Sequence, residues 1–292
     1  MISIPNPPPR QPQVCIPYRA PGEVLYRDNP HIQRFSMDAE TPDFFVAEGG
    51  LQLHIPANAF SHWGRKNRVH GEVTIALKVF YSQVDMLLFG RPTTSDGRLL
   101  EAAVQLHISA TQDGELLDLL LPIKVSLPSA ILQEQVKSMR LFSGGISSIR
   151  SINGQEVFDW KYASSLLFQN AGDAFCHFQI DRCGWWACQK LHRSKARKTM
   201  MSARIMESPL PSRLLSGFIL FRDMQTIVPM YPGVQGFGAL NIPEGLCASI
   251  FIFGHCDHEI YVGQSPLENT SNKVFSIPVG IAGKEQILAM LA

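Results

Sequence analysis

The chain has 292 residues, of which 45% are hydrophobic and 17% are charged. This composition is typical of an ordered globular protein with a sizeable core, and it excludes a disordered chain. The formal net charge of +1 argues against a protein whose whole surface serves nucleic acid or anionic lipid.

The first thirty residues are rich in proline and begin MISIPNPPPRQPQ. Proline fixes φ and removes a backbone donor, so we predict an extended Pro-rich arm over residues 1–40. We favour a loose arm. The alternative is a strap that lies on a partner, with Pro7, Pro8, Pro9 and Arg10 as the contact residues.

The N-terminus lacks the basic start and apolar core of a secretory signal, and no apolar run of transmembrane length follows. We therefore expect no transmembrane segment. The expected location is the cytoplasm, or an assembly that is exported without a signal peptide.

Alternation of apolar and polar residues begins near position 44 and continues through much of the chain. In Gly71–Tyr81, Val73, Ile75, Leu77 and Val79 occupy alternate positions, which predicts a strand with one face on a core. Similar patterns predict strands at Leu51–Ile55, Val104–Ala110, Pro122–Leu127, Met139–Phe142, Val157–Tyr162 and Ala174–Ile180. Short strands with few helical stretches favour a β-sandwich.

Turn signals separate these strands. They are Ser95-Asp96-Gly97, Gln112-Asp113-Gly114, Ser143-Gly144-Gly145 and Asn153-Gly154. The apolar run Met86–Phe89 is too irregular for a surface strand, and we expect it to plug one end of the sandwich.

The composition changes after Cys188. Residues 189–213 are strongly basic and are predicted to form an exposed linker, in which Lys195, Arg197 and Lys198 could contact a partner. Contact with nucleic acid is disfavoured because the basic stretch has no interleaved aromatic residues. Residues 214–292 contain five further predicted strands, and are expected to form a small second β-sandwich with a short C-terminal helix.

Several motifs in residues 41–188 give a family resemblance. They are Ile55–Phe60 (IPANAF), Gly71–Leu77 (GEVTIAL), Asp85–Leu87 (DML), Thr93–Gly97 (TTSDG) and Gly184-Trp185. Together they resemble the ZU5-like β-sandwich domains, and are most similar to a group of uncharacterised bacterial two-domain proteins. The resemblance implies an all-β chain with an antiparallel ZU5-like sandwich first.

Some ZU5 domains cleave themselves at a His-Phe-Ser strand, where the serine attacks the preceding carbonyl. The corresponding segment here is Cys176-His177-Phe178-Gln179. Gln179 offers no nucleophile, so we predict that the chain does not cleave itself. His177 is then interpreted as an ordinary strand residue.

Two groups of cysteine and histidine residues raise the question of a metal site. Neither has the C-x2-C spacing that places two thiolates on one ion. We therefore predict no metal and no cofactor. The four weak candidates are Cys247, His255, Cys256 and His258.

The favoured function is a non-enzymatic protein–protein interaction or structural assembly module. Such a module could belong to a bacterial multi-protein complex, for example an injection or surface assembly. Its expected partners are other protein subunits, which include a second copy of the chain. Nucleic acid is not an expected partner. The alternatives are a metal-dependent hydrolase on a β-sandwich scaffold, and an autoprocessing ZU5-type regulator, which Gln179 disfavours.

Overall fold

The structure is a computed structural model that describes residues 20–26, 31–65, 67–132, 138–152, 155–163, 174–234, 236–256, 258–271 and 273–291. These residues are mostly β-strand, which confirms the predicted all-β class. The strands are β1 (Ile32–Asp38), β2 (Asp43–Val46), β3 (Gln52–Ile55), β4 (Phe60–His62), β5 (Glu72–Phe80), β6 (Thr94–Ser95), β7 (Arg98–Gln112), β8 (Glu115–Leu119), β9 (Ile123–Pro128), β10 (Arg140–Ile152), β11 (Gln155–Tyr162), β12 (Phe175–Ile180), β13 (Gly184–Leu191), β14 (Lys198–Ile205), β15 (Leu215–Phe221), β16 (Ile227–Gly233), β17 (Gly236–Pro243), β18 (Ala248–Cys256), β19 (Glu259–Leu267), β20 (Val274–Ile277) and β21 (Gly280–Ile281). The helices are α1 (Pro21–Leu25), α2 (Gln83–Leu88), α3 (Ser129–Leu132) and α4 (Lys284–Leu291).

Two sheets enclose the first core. The larger sheet has the order β1-β5-β7-β13-β10-β11, with β4, β6 and β8 attached beside it, and the smaller sheet has the order β12-β9-β3-β2. Val73, Ile75, Leu77 and Val79 of β5 are all buried in this core, as their alternation predicts. Antiparallel strands in two facing layers give the sandwich-like arrangement expected from the sequence.

The N-terminal region joins the first sheet earlier than the predicted boundary at residue 40. Strand β1 pairs antiparallel with β5 along its whole length, from Ile32 opposite Lys78 to Asp38 opposite Glu72. Met37 is buried in the first core, so this strand is held by packing as well as by the ladder. The predicted contact residues Pro7, Pro8, Pro9 and Arg10 lie outside the described residues.

Two of the four predicted turn signals coincide with hairpin turns, one does not, and Asn153-Gly154 lies outside the described residues. Asp96 and Asp113 have φ of 49° and 50°, in the left-handed region that two-residue hairpins require. The Ser143-Gly144-Gly145 segment was expected to be a turn, but it lies inside β10. A Cβ on Gly144 would lie 2.5 Å from the ring of Phe158, so glycine is needed there for ring packing.

The apolar run Met86–Phe89 does not plug the first sandwich, contrary to prediction. It forms the second half of α2 and its C-cap Phe89, and the N-cap is Ser82: the Ser82 hydroxyl accepts a hydrogen bond from the Asp85 backbone N–H at 3.1 Å. Met86, Leu87 and Leu88 are buried against strands β15, β18 and β19 and helix α4. The helix therefore lies between the first sandwich and the C-terminal strands.

The C-terminal strands form one eight-stranded sheet in the order β20-β14-β17-β16-β15-β18-β19-β21. Strand β16 turns the corner of this sheet, because Ile227–Met230 pair with β15 whereas Tyr231–Gly233 pair with β17. Residues from seven of the eight strands enter a single apolar cluster. The sheet therefore curves around its own core.

Backbone hydrogen bonds also link the two β regions. Thr93 N–H donates to the carbonyl of Ile227 at 2.8 Å, and Ile227 N–H donates to the Thr93 hydroxyl at 2.8 Å. The buried Thr226 hydroxyl donates to the Leu100 carbonyl at 2.8 Å. The Gln83 side-chain amide lies within hydrogen-bond distance of three carbonyls of the β15–β16 region.

Candidate interaction surface

The residues 189–213 are not a simple linker. Their first residues belong to the end of β13, and Lys198–Ile205 form β14, which lies inside the C-terminal sheet between β20 and β17. Met201 and Ala203 point into the curved core and are buried. A stretch that reads as basic and polar thus contains the alternation of a strand with one apolar face.

The outer face of β14 carries the opposite set of side chains. Lys198, Met200 and Arg204 are exposed, and Ser202 is half-buried. Neighbouring strands add exposed apolar side chains to this face, since Ser202 pairs with Val274 on β20 and Gly238, two residues before Leu240, on β17. We call the set Arg197, Lys198, Met200, Arg204, Leu240, Lys273 and Val274 the basic face.

Three apolar side chains of the basic face are strongly exposed. Met200 is 47% exposed, Val274 62% and Leu240 65%. Such side chains cost free energy in water, and they mark a protein-binding site when they cluster among polar groups.

A β-bulge shapes the centre of the basic face. The pairing of β14 with β17 shifts between Thr199 opposite Ile242 and Met201 opposite Ala239. Leu240 and Asn241 both fall in the shifted segment, and Asn241 adopts φ of 62°. Bulges of this kind re-aim side chains. The result is an open depression of about 330 Å³, lined by Arg197, Lys198, Thr199, Met200, Leu240 and Asn241.

The basic face has an excess of positive charge on its own strands. Strands β14, β16, β17 and β20 contain no aspartate or glutamate. Within the described part of the chain, Lys195, Arg197, Lys198 and Lys273 form no ion pair with a carboxylate. Of the predicted contact residues, Lys198 lies on β14 itself, whereas Lys195 and Arg197 precede this strand in the chain.

A second surface has the opposite charge and is also partly apolar. The segment Asp38–Glu48 contains four carboxylates and no cationic residue, and it includes β2 at the edge of the four-stranded sheet. Phe44 is 46% exposed and Val46 is 55% exposed. We call residues 38–48 the acidic edge. Beside it lies an open depression of about 540 Å³, lined by Pro42, Asp43, Phe44, His54, Ile55, Pro56, Pro122 and Lys124.

Neither the acidic edge nor the side chains of Met200, Leu240 and Val274 on the basic face are predicted as contact residues from the sequence. The alternation Lys198-Met200-Ser202-Arg204 was available as a signal for an outer strand face. Val274 could not be found this way, because only the parallel pairing of β14 with β20 brings it to the same surface.

The four weak metal candidates do not come together. Cys247 precedes β18 and Cys256 ends it, so the two are about 30 Å apart along a strand that rises about 3.3 Å per residue. The Cys247 thiol donates to the Glu268 carbonyl at 3.0 Å. His255 and Cys256 lie by the hairpin that leads to β19, opposite Ile260 and Glu259, and His258 lies in its turn. Among the described residues, no group of three or more metal-ligating side chains was found.

His177 lies on β12 as a strand residue and has a defined neighbour. Its Nδ1 lies 2.8 Å from the hydroxyl of Ser126, the residue opposite it on β9. The side chain of Ser126 has no exposed surface, so its hydroxyl is closed to a substrate from solution. On the same sheet, burial and the charge of Lys124 lower the pKa of His54. Gln179, at the position where self-cleavage would need a nucleophile, pairs with Lys124.

Comparison with protein-family models and with curated proteins finds no match to this chain. Among the described residues, no helix is long and apolar enough to cross a membrane.

Proposed function

We propose that this chain is a non-enzymatic protein–protein interaction module that docks an acidic partner on the basic face. The observation that carries the proposal is the basic face itself, where cations surround the exposed side chains of Met200, Leu240 and Val274. Interfaces commonly combine an apolar centre with a polar rim. The cations would attract and orient the partner, and the apolar centre would supply the affinity.

The proposal includes the wider setting expected from the sequence. The ZU5-like character of the first sandwich, a bacterial origin and membership of a multi-protein assembly are parts of it. Two β regions fused through a common apolar cluster suit a rigid module whose outer faces carry the contacts.

The enzyme alternatives have weaker support. A metal-dependent hydrolase built on Cys247, His255, Cys256 and His258 would need all four side chains close to one ion. Cys247 is separated from the other three by the full length of β18. An autoprocessing regulator would need a nucleophile where Gln179 stands, and the nearby Ser126 hydroxyl is buried beside His177. No specific observation favours either of them.

The test is a binding titration with a defined probe. A fluorescent peptide of alternating glutamate and leucine is titrated with the wild-type chain, and its anisotropy is measured at low and high salt. We expect saturable binding that weakens as salt rises, because exposed charges are screened. The double variant Arg197→Glu/Lys198→Glu and the single variant Leu240→Ser should each weaken binding about tenfold or more.

The matched control is Arg98→Glu/Arg222→Glu, which makes the same change of charge at two exposed residues outside the basic face. This control should bind nearly as tightly as the wild type. Equal binding by the wild type and by both basic-face variants would contradict the proposal. Tighter binding of single-stranded DNA or of anionic lipid vesicles than of the peptide would assign the basic face to a different partner.

A further inference from the structure

We infer that the acidic partner of the basic face is the acidic edge of a second copy of this chain. The inference rests on the proposed function, because it names the partner of that same surface. It goes further in predicting that the chain assembles with itself in a head-to-tail manner.

The two surfaces are complementary in charge. The acidic edge has Asp38, Glu40, Asp43 and Glu48 within eleven residues and no cationic residue among them. The basic face has four cations, two of them on β14 and two directly before β14 and β20, and neither strand contains a carboxylate. Only Glu40 among the acidic side chains forms an ion pair in the described structure, with His70 at 3.0 Å. Arg197, Lys198 and Lys273 form none in the described part of the chain, so their charges are available to a partner.

Each surface also presents apolar side chains among its charged residues. Phe44 and Val46 are two residues apart on β2 and therefore point to the same side of the sheet. Met200 and Leu240 are exposed in the same way at the centre of the basic face. Contact between the two pairs would remove both from water while the opposite charges fix their relative orientation.

The two surfaces belong to different parts of one copy. Strand β2 of the acidic edge lies in the four-stranded sheet and Asp38 ends β1 of the larger sheet of the first sandwich, whereas the basic face belongs to the curved C-terminal sheet. In the described residues, no ion pair links the two surfaces within a single copy. A contact between them must then join two copies.

The contact has a direct consequence for assembly. The two surfaces differ, so their contact is heterologous and leaves one unused surface at each end of a dimer. Further copies then add until a ring closes or an open filament forms. A symmetric two-fold dimer would require a different contact.

The test is a charge swap followed by sedimentation velocity at low salt. The wild type should associate with rising concentration. The variants Arg197→Glu/Lys198→Glu and Asp43→Lys/Glu48→Lys should each remain monomeric, because like charges then oppose each other. An equimolar mixture of the two variants should associate again, since every contact once more joins opposite charges. Misfolding of a variant cannot produce this recovery.

The control Arg98→Glu/Arg222→Glu should associate like the wild type. A wild type that stays monomeric up to about 1 mM at low salt would overturn the inference. Two variants that still associate as the wild type does would also overturn it. Either result would leave the titration with the glutamate–leucine peptide to decide the proposed function separately.

A peptide of residues 38–48 gives an independent check in the same titration. It should bind the wild type, and Arg197→Glu/Lys198→Glu should weaken that binding about tenfold or more. If the glutamate–leucine peptide binds at the basic face and the 38–48 peptide does not, the basic face serves another acidic protein and self-assembly is wrong.

Discussion

Glu101 is held by two partners where β7 and β13 run side by side. Its carboxylate lies 2.9 Å from Lys190 Nζ and 2.8 Å from His192 Nδ1. Burial alone would raise the pKa of Glu101, but the hydrogen bonds to His192 and Lys190 outweigh it and lower the pKa. The charged form is therefore favoured in the folded state.

We predict that Glu101→Gln lowers the free energy of unfolding by about 1–3 kcal/mol at pH 7, because it removes charge-assisted hydrogen bonds. The lowered pKa means that the wild type loses this stabilisation as the pH falls through the folded-state pKa of Glu101. The difference between the two proteins should thus shrink as the pH falls below the ordinary pKa of a glutamate. Urea unfolding across pH measures it. The exposed Glu72→Gln serves as control, and an equal loss in both variants would contradict the prediction.

His107 is the second residue with a pH-dependent role. Burial, together with the positive charges of Lys78 and Arg91, lowers the pKa of His107 to about 4. Its ring packs against Trp185, with a centroid distance of 4.9 Å. The folded state thus keeps this imidazole neutral at a pH where the unfolded chain protonates it.

We predict that His107 destabilises the fold as the pH drops from about 6.5 to about 4, because only the unfolded state binds the proton in that window. Above this window the residue is neutral in both states and contributes no pH dependence. Replacing it by glutamine should remove part of the acid-induced loss, of the order of 2 kcal/mol. The exposed His258→Gln is the control. A pH profile of unfolding that is unchanged in His107→Gln would refute the assignment.

At the scale of elements, α2 joins the two β regions. Leu87 is fully buried in the cluster shared by α2, α4 and strands β15, β18 and β19. We predict that Leu87→Ala lowers the free energy of unfolding by about 2–5 kcal/mol, because it leaves a cavity there. The exposed Leu116→Ala should change it by less than about 0.5 kcal/mol. Comparable losses at the two positions in chemical denaturation would argue against the packing role of α2.

The strands could be predicted where their alternation is long and regular, as in β5. The helix α2 could not, because six residues are too short to show helical periodicity, and its burial depends on strands more than 120 residues later. The glycines of Ser143-Gly144-Gly145 gave a false turn signal. Glycine is needed at position 144 for another reason: the rings of Phe158 and Trp160 occupy the space that a Cβ would fill.

The candidate site was predictable only in part. Lys195, Arg197 and Lys198 were found from their charge, but they were assigned to a linker because a run of cations hid the alternating Met201 and Ala203. The exposed apolar side chains of the basic face come together only because β14 pairs with β17 and β20. Leu240 reaches it through the bulge opposite Met200, which no local pattern reveals.

At the scale of the whole molecule, the two β regions share an apolar cluster and several hydrogen bonds. We predict that they unfold together in one cooperative transition, because separating them would expose Phe80, Phe218 and Phe251 to water. Scanning calorimetry should give one peak whose calorimetric and van't Hoff enthalpies agree. Two resolved transitions would show that the regions are independent domains.

The central claim is that an acidic, partly apolar partner docks on the basic face, and locating the bound probe tests it most directly. The glutamate–leucine peptide carrying a photoreactive leucine is cross-linked to the wild type, and the attachment points are mapped by mass spectrometry. The account predicts attachment within residues 197–204 and 238–241 that is lost in Arg197→Glu/Lys198→Glu. Attachment concentrated elsewhere, or unchanged in that variant, would contradict it.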